Sequence, residues 1–384
     1  MINPKSVFIC IAVLLMPFVS SGQEKSVTVT PGKSCPEEEF KAIMARHNAV
    51  GLAVAVVDRS KILFVDSYGY KDLDAGIPWE TDDLLRIASI SKSFTATGVL
   101  QLVEQGKMSL DADISDILGY RVRNPKYPDK SVTVRMLLSH TSSMNDSNGY
   151  FSMDSLSDKS WGNYEPGTGY QYCNLGYNTL GAIIEKVSGE RFDRYIADHI
   201  LKPLGVYAHH NVHELDPDKF VKIYRYERSD SSYKVSNAYM SIDKQLEQYT
   251  LVYSTPVFSP TGGLKISVKD LAAVMMMHMN GGKSDGVRIL ERSSCKLMQS
   301  EIVPTNYEGE FYGMAMLRTD DFLKGFRLEG HDGLAYGAHT AMFWHPKKKF
   351  GFIVMTNGCN STTREVFADI LCESAECLYR YFIK

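Results

Sequence analysis

Two apolar, β-branched runs early in the chain, Gly51 to Val57 and Ile62 to Tyr68, are separated only by the turn-forming Asp58-Arg59-Ser60, the pattern of a β-hairpin. Runs of that kind return only near the other end, at Arg327 to Gly330, Thr340 to Trp344 and Phe350 to Thr356. Between them the hydrophobic period is helical. Phe94, Thr97, Leu100 or Gln101, and Glu104 mark successive turns of a helix that starts at about Ile90 and stops at Gly106. Leu175 to Ser188 ends at Gly189, and Ser267 to Asp270 is a capping-box-like start for a Met-rich helix ending at Gly281-Gly282. A last helix is predicted from about Thr363 to Tyr381. The economical packing is an α+β fold. One antiparallel sheet is assembled from both chain ends and flanked by helices, with a mainly helical lobe over approximately residues 82–250 inserted between them.

The N-terminal residues stand apart from this pattern. Lys5 precedes an apolar run from Val7 to Val19, interrupted by Pro17, and Ser20-Ser21-Gly22 supplies small residues ahead of Gln23. That is the form of a secretory signal peptide and is too short to span a bilayer; no later run approaches the roughly 18 to 20 apolar residues a membrane helix needs. Residues 1–22 are therefore read as a signal and residues 23–384 as a single exported domain, periplasmic or secreted. Cys10 lies inside the apolar run, not after a lipoprotein-like junction. Cys35, Cys173, Cys295, Cys359, Cys372 and Cys377 remain, and spacing fixes none of their possible pairings. A chain of this length buries a core without staples, so few or no structural disulfides are expected.

The net charge of −3 gives no bulk positive field to hold nucleic acid or an anionic membrane. There is no GxxxxGK[ST], no HExxH and no GxGxxG after a strand, so nucleotide, zincin and dinucleotide chemistry have no local support, and no cofactor is expected. His209-His210-Asn-Val-His213-Glu214 has ligand types that suit zinc, but it follows Pro203-Leu-Gly205 in an apparent loop and is read as a polar surface turn.

A serine nucleophile needs a base for its proton, and a lysine three residues later on a helix lies one turn away on the same side. Ser-x-x-Lys occurs at Ser89-Lys92, Ser231-Lys234, Ser241-Lys244 and Ser293-Lys296. Only the first opens a strongly patterned helix, where Ser89 would lie at the positive end of the helix dipole. Taken alone, Ser89 is equally an N-cap.

Other segments decide between these readings. The run Arg86 to Ala96, followed by Gly106-Lys-Met-Ser-Leu-Asp111, resembles the serine β-lactamase-related family, which includes class C β-lactamases, D-alanyl-D-alanine carboxypeptidases and esterases. The similarity continues in order through Leu137 to Met144, Pro166 to Tyr177, Pro260 to Leu271 and Gly330 to Gly337. It implies a β-lactamase/transpeptidase-like fold, with Ser89 as acylated nucleophile and Lys92 as its base. Tyr172 and Asn174 match the Tyr-x-Asn element, in which the tyrosine shuttles protons and the asparagine holds the substrate's acyl-side amide; from the residues alone, Tyr172 is also readable as a core aromatic. His331-Asp332-Gly333 matches the Lys/His-x-Gly strand, and the N–H of Leu334 would join that of Ser89 in an oxyanion hole. Lys92 must be neutral part of the time and so should be desolvated or near positive charge. Cys173 is expected to be a buried neutral thiol beside the site.

The departures narrow the function. β-Lactamases of this family usually carry Lys-Thr-Gly where this chain has His331, Asp332 and Gly333. Histidine is only partly charged at neutral pH, so activity is expected to change between about pH 5.5 and 7.5 as His331 titrates. An Asp332 facing the cleft would repel a substrate carboxylate and oppose efficient β-lactam destruction. Lys349-Phe-Gly351 also fits Lys-x-Gly but is read as a surface turn. Ser143 stands where the family often has glycine, and an adjusted turn is expected. The resemblance implies a serine hydrolase acting through an acyl-enzyme on an amide or ester, with a small-molecule or peptide substrate, for example a D-amino-acid peptide of cell-wall type. A carboxylesterase, a true β-lactamase and a non-catalytic penicillin-binding-like protein stay open.

Overall fold

A computed structural model describes residues 36–384; the signal-peptide reading of residues 1–22, Cys10 and Cys35 lie outside them. The hairpin forms as β1 (Gly51–Asp58) and β2 (Ile62–Asp72). The C-terminal strands are β3 (Leu328–Ala335), β4 (Ala338–Trp344) and β5 (Phe350–Thr356). They share a nine-stranded antiparallel sheet in which β1 lies between β5 and β2, and β3, β4 and β5 are consecutive neighbours. Leu52 pairs with Thr356 and Asp58 with Phe350, so the two chain ends interlock along the whole of β1.

Alternation along β1 explains what covers each face. Leu52, Val54 and Val56 pack with Phe40 and Ile43 of helix α1 (Glu37–Arg46) and with Leu371, Ala375 and Leu378 near the C-terminus. Ala53, Ala55 and Val57 face the other side, and the two small alanines let the Met-rich helix lie against the strand. The lobe between the chain ends is built round α2 (Ser91–Glu104) and α3 (Asn174–Ser188), while the Met-rich helix is α4 (Val268–Met279). Ser267 caps α4 by accepting from the Asp270 N–H, and Gly189 ends α3 at φ 77°.

Three elements differ from expectation. The strand expected over Arg327 to Gly330 continues to Ala335, because its later residues pair along β4 as far as Ala338. The last helix, α5 (Asp369–Phe382), begins later than Thr363: Thr363–Arg364 and Phe367–Ala368 form a tight hairpin, with Glu365 at φ 52°. The lobe also contains a hairpin, Tyr224–Glu227 with Ser232–Val235. Cys173, Cys295, Cys359, Cys372 and Cys377 are buried free thiols.

Candidate active site

The serine sits on a strained turn. Residues Ala88–Ile90 form one 3-10 turn that leads into α2, and Ala88 has φ 49°, a left-handed conformation that is costly for a residue with a Cβ. Strand contacts hold it there. Thr340 Oγ1 donates to the Ile87 carbonyl at 3.0 Å, and Gly333 passes so close that a Cβ on it would lie 2.4 Å from that oxygen and 3.1 Å from the Ala88 Cβ. Gly333 therefore sets the spacing between β3 and the turn, and Ser89 and Leu334 line the same cleft. The Ser89 side chain caps neither the turn nor α2. Its Oγ faces Lys92 instead.

Lys92 is fully buried, and its Nζ donates to Ser89 Oγ at 3.0 Å, Asn174 Oδ1 at 2.9 Å and the Thr261 carbonyl at 2.9 Å. Burial pushes this amine down to about 7, against the opposing pull of Asp146. It therefore exchanges its proton at physiological pH, as a general base requires. Among the four Ser-x-x-Lys pairs, only this one has a buried lysine; Lys234, Lys244 and Lys296 are exposed.

Asn174 is fixed from three sides. Its Oδ1 also accepts from Thr261 Oγ1 at 2.6 Å, and its Nδ2 donates to Asp146 Oδ2 at 2.9 Å, leaving one N–H for the cleft. Sequence reasoning missed Asp146. Its carboxylate also accepts the backbone N–H groups of Asn174 at 3.0 Å and Leu175 at 2.9 Å, so a residue distant in sequence caps α3. The signal was slight: a lone aspartate just beyond Met144.

Tyr172 lies with Lys92 Nζ 4.8 Å from its ring centroid. Burial raises its phenol well above the ordinary tyrosine range, with Ser89 beside it pulling the other way, so the hydroxyl stays protonated and can donate. His140, also missed as a positioning residue, packs its ring 4.3 Å from that of Tyr172 and accepts from the Cys173 N–H through Nδ1 at 3.1 Å. Cys173 is the expected buried thiol, raised far above its usual range by burial.

His331 requires a correction. It is 2% exposed, and burial followed by the repulsion of Lys92 holds its imidazole down to about 3. Its Nδ1 lies 2.6 Å from the Asp332 carbonyl, which can only accept, so Nδ1 carries the proton. The unprotonated Nε2 then accepts from the Tyr312 hydroxyl at 3.2 Å. His331 is a neutral group throughout the range in which it was expected to titrate. Asp332 lines the cleft, half-buried, and burial raises it to about 6. In the cleft the groups that change charge near neutrality are therefore Lys92 and Asp332, with Glu310, raised to about 7 by burial, within electrostatic reach of Asp332. Leu334 is 64% exposed at the rim.

The other expectations divide. Ser143 has a left-handed backbone of the kind glycine favours, at φ 60°, and its Oγ accepts from Asn124 Nδ2 at 3.0 Å. Lys349 lies on the turn between β4 and β5, away from the cleft, and donates to the Met279 carbonyl. The polar surface turn at His209 and His210 is contradicted: both are buried, because Ala208–His209 joins a small sheet, while His213 pairs with Asp243 at 3.2 Å. Among the described residues no cluster of histidine, cysteine or acid could hold a metal ion.

The cleft over Ser89 has a volume of about 490 Å³ and is walled by Tyr150, Phe151, Asp332, Arg86, Arg225 and Tyr336. A family model described as Beta-lactamase matches residues 37–371. The chain belongs to the Beta-lactamase family. Penicillin-binding protein 4 of Amycolatopsis lactamdurans is 26% identical over 368 residues, 88% of this chain and 89% of that protein. The octameric penicillin-binding protein homologue from Pyrococcus abyssi superposes with a TM-score of 0.73 at 25% identity, over 90% of this chain and 76% of that one. The D-amino acid amidase from Ochrobactrum anthropi SV3, complexed with L-phenylalanine, shares the fold with a TM-score of 0.69 at 23% identity, over 90% of this chain and 99% of that one. The sheet and its flanking helices are thus the β-lactamase/transpeptidase-like arrangement, and the family is one of serine β-lactamase-like hydrolases.

Proposed function

We propose that this family member is an exported serine hydrolase that cleaves an amide or ester through an acyl-enzyme on Ser89. The observation that carries the reading is the 3.0 Å contact between Ser89 Oγ and a buried lysine whose proton is lost near pH 7. Neutral Lys92 takes the hydroxyl proton as Oγ attacks the carbonyl carbon, and the N–H groups of Ser89 and Leu334 receive the charge that develops on the carbonyl oxygen. Tyr172 passes a proton to the departing amine or alcohol, the C–N or C–O bond breaks, and the acyl group stays on Ser89 until water displaces it. Asn174 orients the acyl-side amide. His331, at the cleft wall but buried, acts by position: it fixes Tyr312 and the Asp332 carbonyl, and it transfers no proton.

The substrate class we favour is a peptide containing a D-amino acid, of the cell-wall type. Support comes from the family and from the amidase fold, together with the apolar and aromatic wall of Tyr150, Phe151 and Tyr336. Asp332 in the cleft, ionised above about 6, weighs against any substrate with a carboxylate beside the scissile bond, an anionic β-lactam and a free D-Ala terminus alike, and so favours an amidated or internal D-amino-acid linkage. A carboxylesterase is the second reading, since the same groups serve an ester.

Labelling with a serine-reactive fluorophosphonate should disappear in Ser89→Ala, and undiminished labelling would remove Ser89 from the nucleophile role. Turnover of an acyl-D-Ala-D-Ala peptide, a short-chain aryl ester and a chromogenic cephalosporin then ranks the substrates. A cephalosporin turned over fastest would overturn the reading of Asp332.

A further inference from the structure

A small three-stranded sheet beside the cleft sets basic residues opposite one another. Arg86 of Leu85–Arg86 pairs with Lys265 of Lys265–Ile266, and Lys265 pairs on its other side with His209 of Ala208–His209. Directly opposed residues share a face of the ladder, where like charges are destabilising. Lys265 is moreover only 4% exposed. Asp193, the acid within electrostatic range of Lys265, is already committed to Arg191 through bonds of 2.6 and 2.9 Å. Among the described residues neither Arg86 nor Lys265 has a carboxylate at ion-pair distance.

The hydrogen bonds leave donors over. Lys265 Nζ gives one bond to the His210 carbonyl, Arg86 Nε gives one to the Gly262 carbonyl at 2.9 Å, and Arg86 Nη1 a longer one to the Ala238 carbonyl at 3.3 Å. Both ring nitrogens of His210 are buried without a partner, and that residue is 2% exposed. Arg86, Lys265 and His210 together line a cavity of about 160 Å³. Since liquid water takes roughly 30 Å³ per molecule, that is room for about five waters or one small polyatomic ion. Buried polar groups without partners are costly, and Arg86 has no carboxylate to balance it. An oxyanion would accept from the spare donors of Arg86 and Lys265 and from the single N–H of the His210 ring.

We propose that this cavity is a binding site for a compact oxyanion, a carboxylate or sulfate-like group held by Lys265 Nζ, Arg86 and the His210 ring. Burial, then the neighbouring Arg86, holds the Lys265 amine well below its ordinary range, and an anion beside it would raise it. Arg86 and Tyr336 also line the catalytic cleft. The oxyanion is therefore either a free solute or an acidic arm of the ligand lying over Ser89.

Sulfate, which does not titrate near neutrality, is the probe. Calorimetric titration of the wild-type protein at pH 8 and constant ionic strength should give saturable binding. Lys265→Met should weaken that binding at least tenfold, and Lys265→Arg should retain it. Absence of saturable heat with both sulfate and acetate in the wild type overturns the proposal, as does unchanged sulfate affinity in Lys265→Met. Competition in Ser89→Ala, which leaves the anilides intact, separates the sources: displacement of sulfate by a glutaryl anilide but not by a butyryl anilide assigns the anion to the cleft ligand, and displacement by neither assigns it to free solute. None of these readouts uses Ser89 chemistry, so their failure is separate from failure of the hydrolase reading.

Discussion

Lys92 is placed where its charge is expensive, and the three acceptors around Nζ, including Ser89 Oγ, hold it ready to exchange a proton. Because the neutral amine is the base, the rate of Ser89 acylation should rise with pH through a midpoint near 7, low at pH 6 and level by pH 8. His331, held down to about 3, contributes nothing to that rise. A pH profile of fluorophosphonate labelling in His331→Gln should keep the wild-type midpoint even if its amplitude falls, and a midpoint that disappears would return the titration to histidine. At Gly333 the demand is steric. Gly333→Ala should cost about 1–3 kcal/mol from forced separation of β3 and the Ala88 turn, and acylation should slow about 100-fold as the two backbone donors move out of line. Thermal unfolding and labelling rate measure the two effects on one sample. Ser89, Lys92, Tyr172 and Asn174 were legible in the sequence because their spacing lies within two short motifs. The charge state of His331 was not, since burial beside Lys92 is made by strands and helices far apart in the chain.

Helix α3 shows how one side chain serves an element and the site together. Its N-terminal N–H groups have Asp146 as acceptor, and the same carboxylate is the strongest influence keeping the Lys92 proton on. Asp146→Ala should lose about 2–3 kcal/mol of stability, the scale for charged hydrogen bonds and a helix cap. Asp146→Asn should lose less and still move the acylation midpoint below pH 7; an unmoved midpoint would limit Asp146 to capping. Elements with local signals, the β1–β2 hairpin and the ends of α3 and α4, were readable from period, cap and glycine. Helix α2 was readable in position but not in environment: residues from Ser91 to Leu102 are buried on every side, so the helix is a central post and not a surface helix with one apolar stripe. The hairpin ahead of α5 was hidden because Thr363 to Ala368 carries no turn pair of the Asn-Gly kind.

The whole molecule depends on its two ends holding each other. Ile370, Leu371 and Leu378 of α5 cover the outer face of β1 and β5, and each is worth about 1.5–3 kcal/mol when buried. Their sum rivals the whole stability of a typical protein, about 5–15 kcal/mol. A chain ending at Asn360 should therefore bind a hydrophobic dye and unfold without a cooperative transition; a sharp melt would mean that α5 is dispensable. That the ends must meet was legible in the sequence, because its longest strand-like runs lie there. The row of Arg86, Lys265 and His209 was not, since each sits in a two-residue strand too short to leave a pattern. The pairing of Leu52 with Thr356 joins residues separated by roughly 300 positions, and contacts of such span form slowly because the loop must close first. A ribosome must add roughly 300 residues after β1 before β1 can find β5. Until then the hairpin is an open edge in need of shelter, which makes the interval after synthesis the period when this protein is most exposed to aggregation.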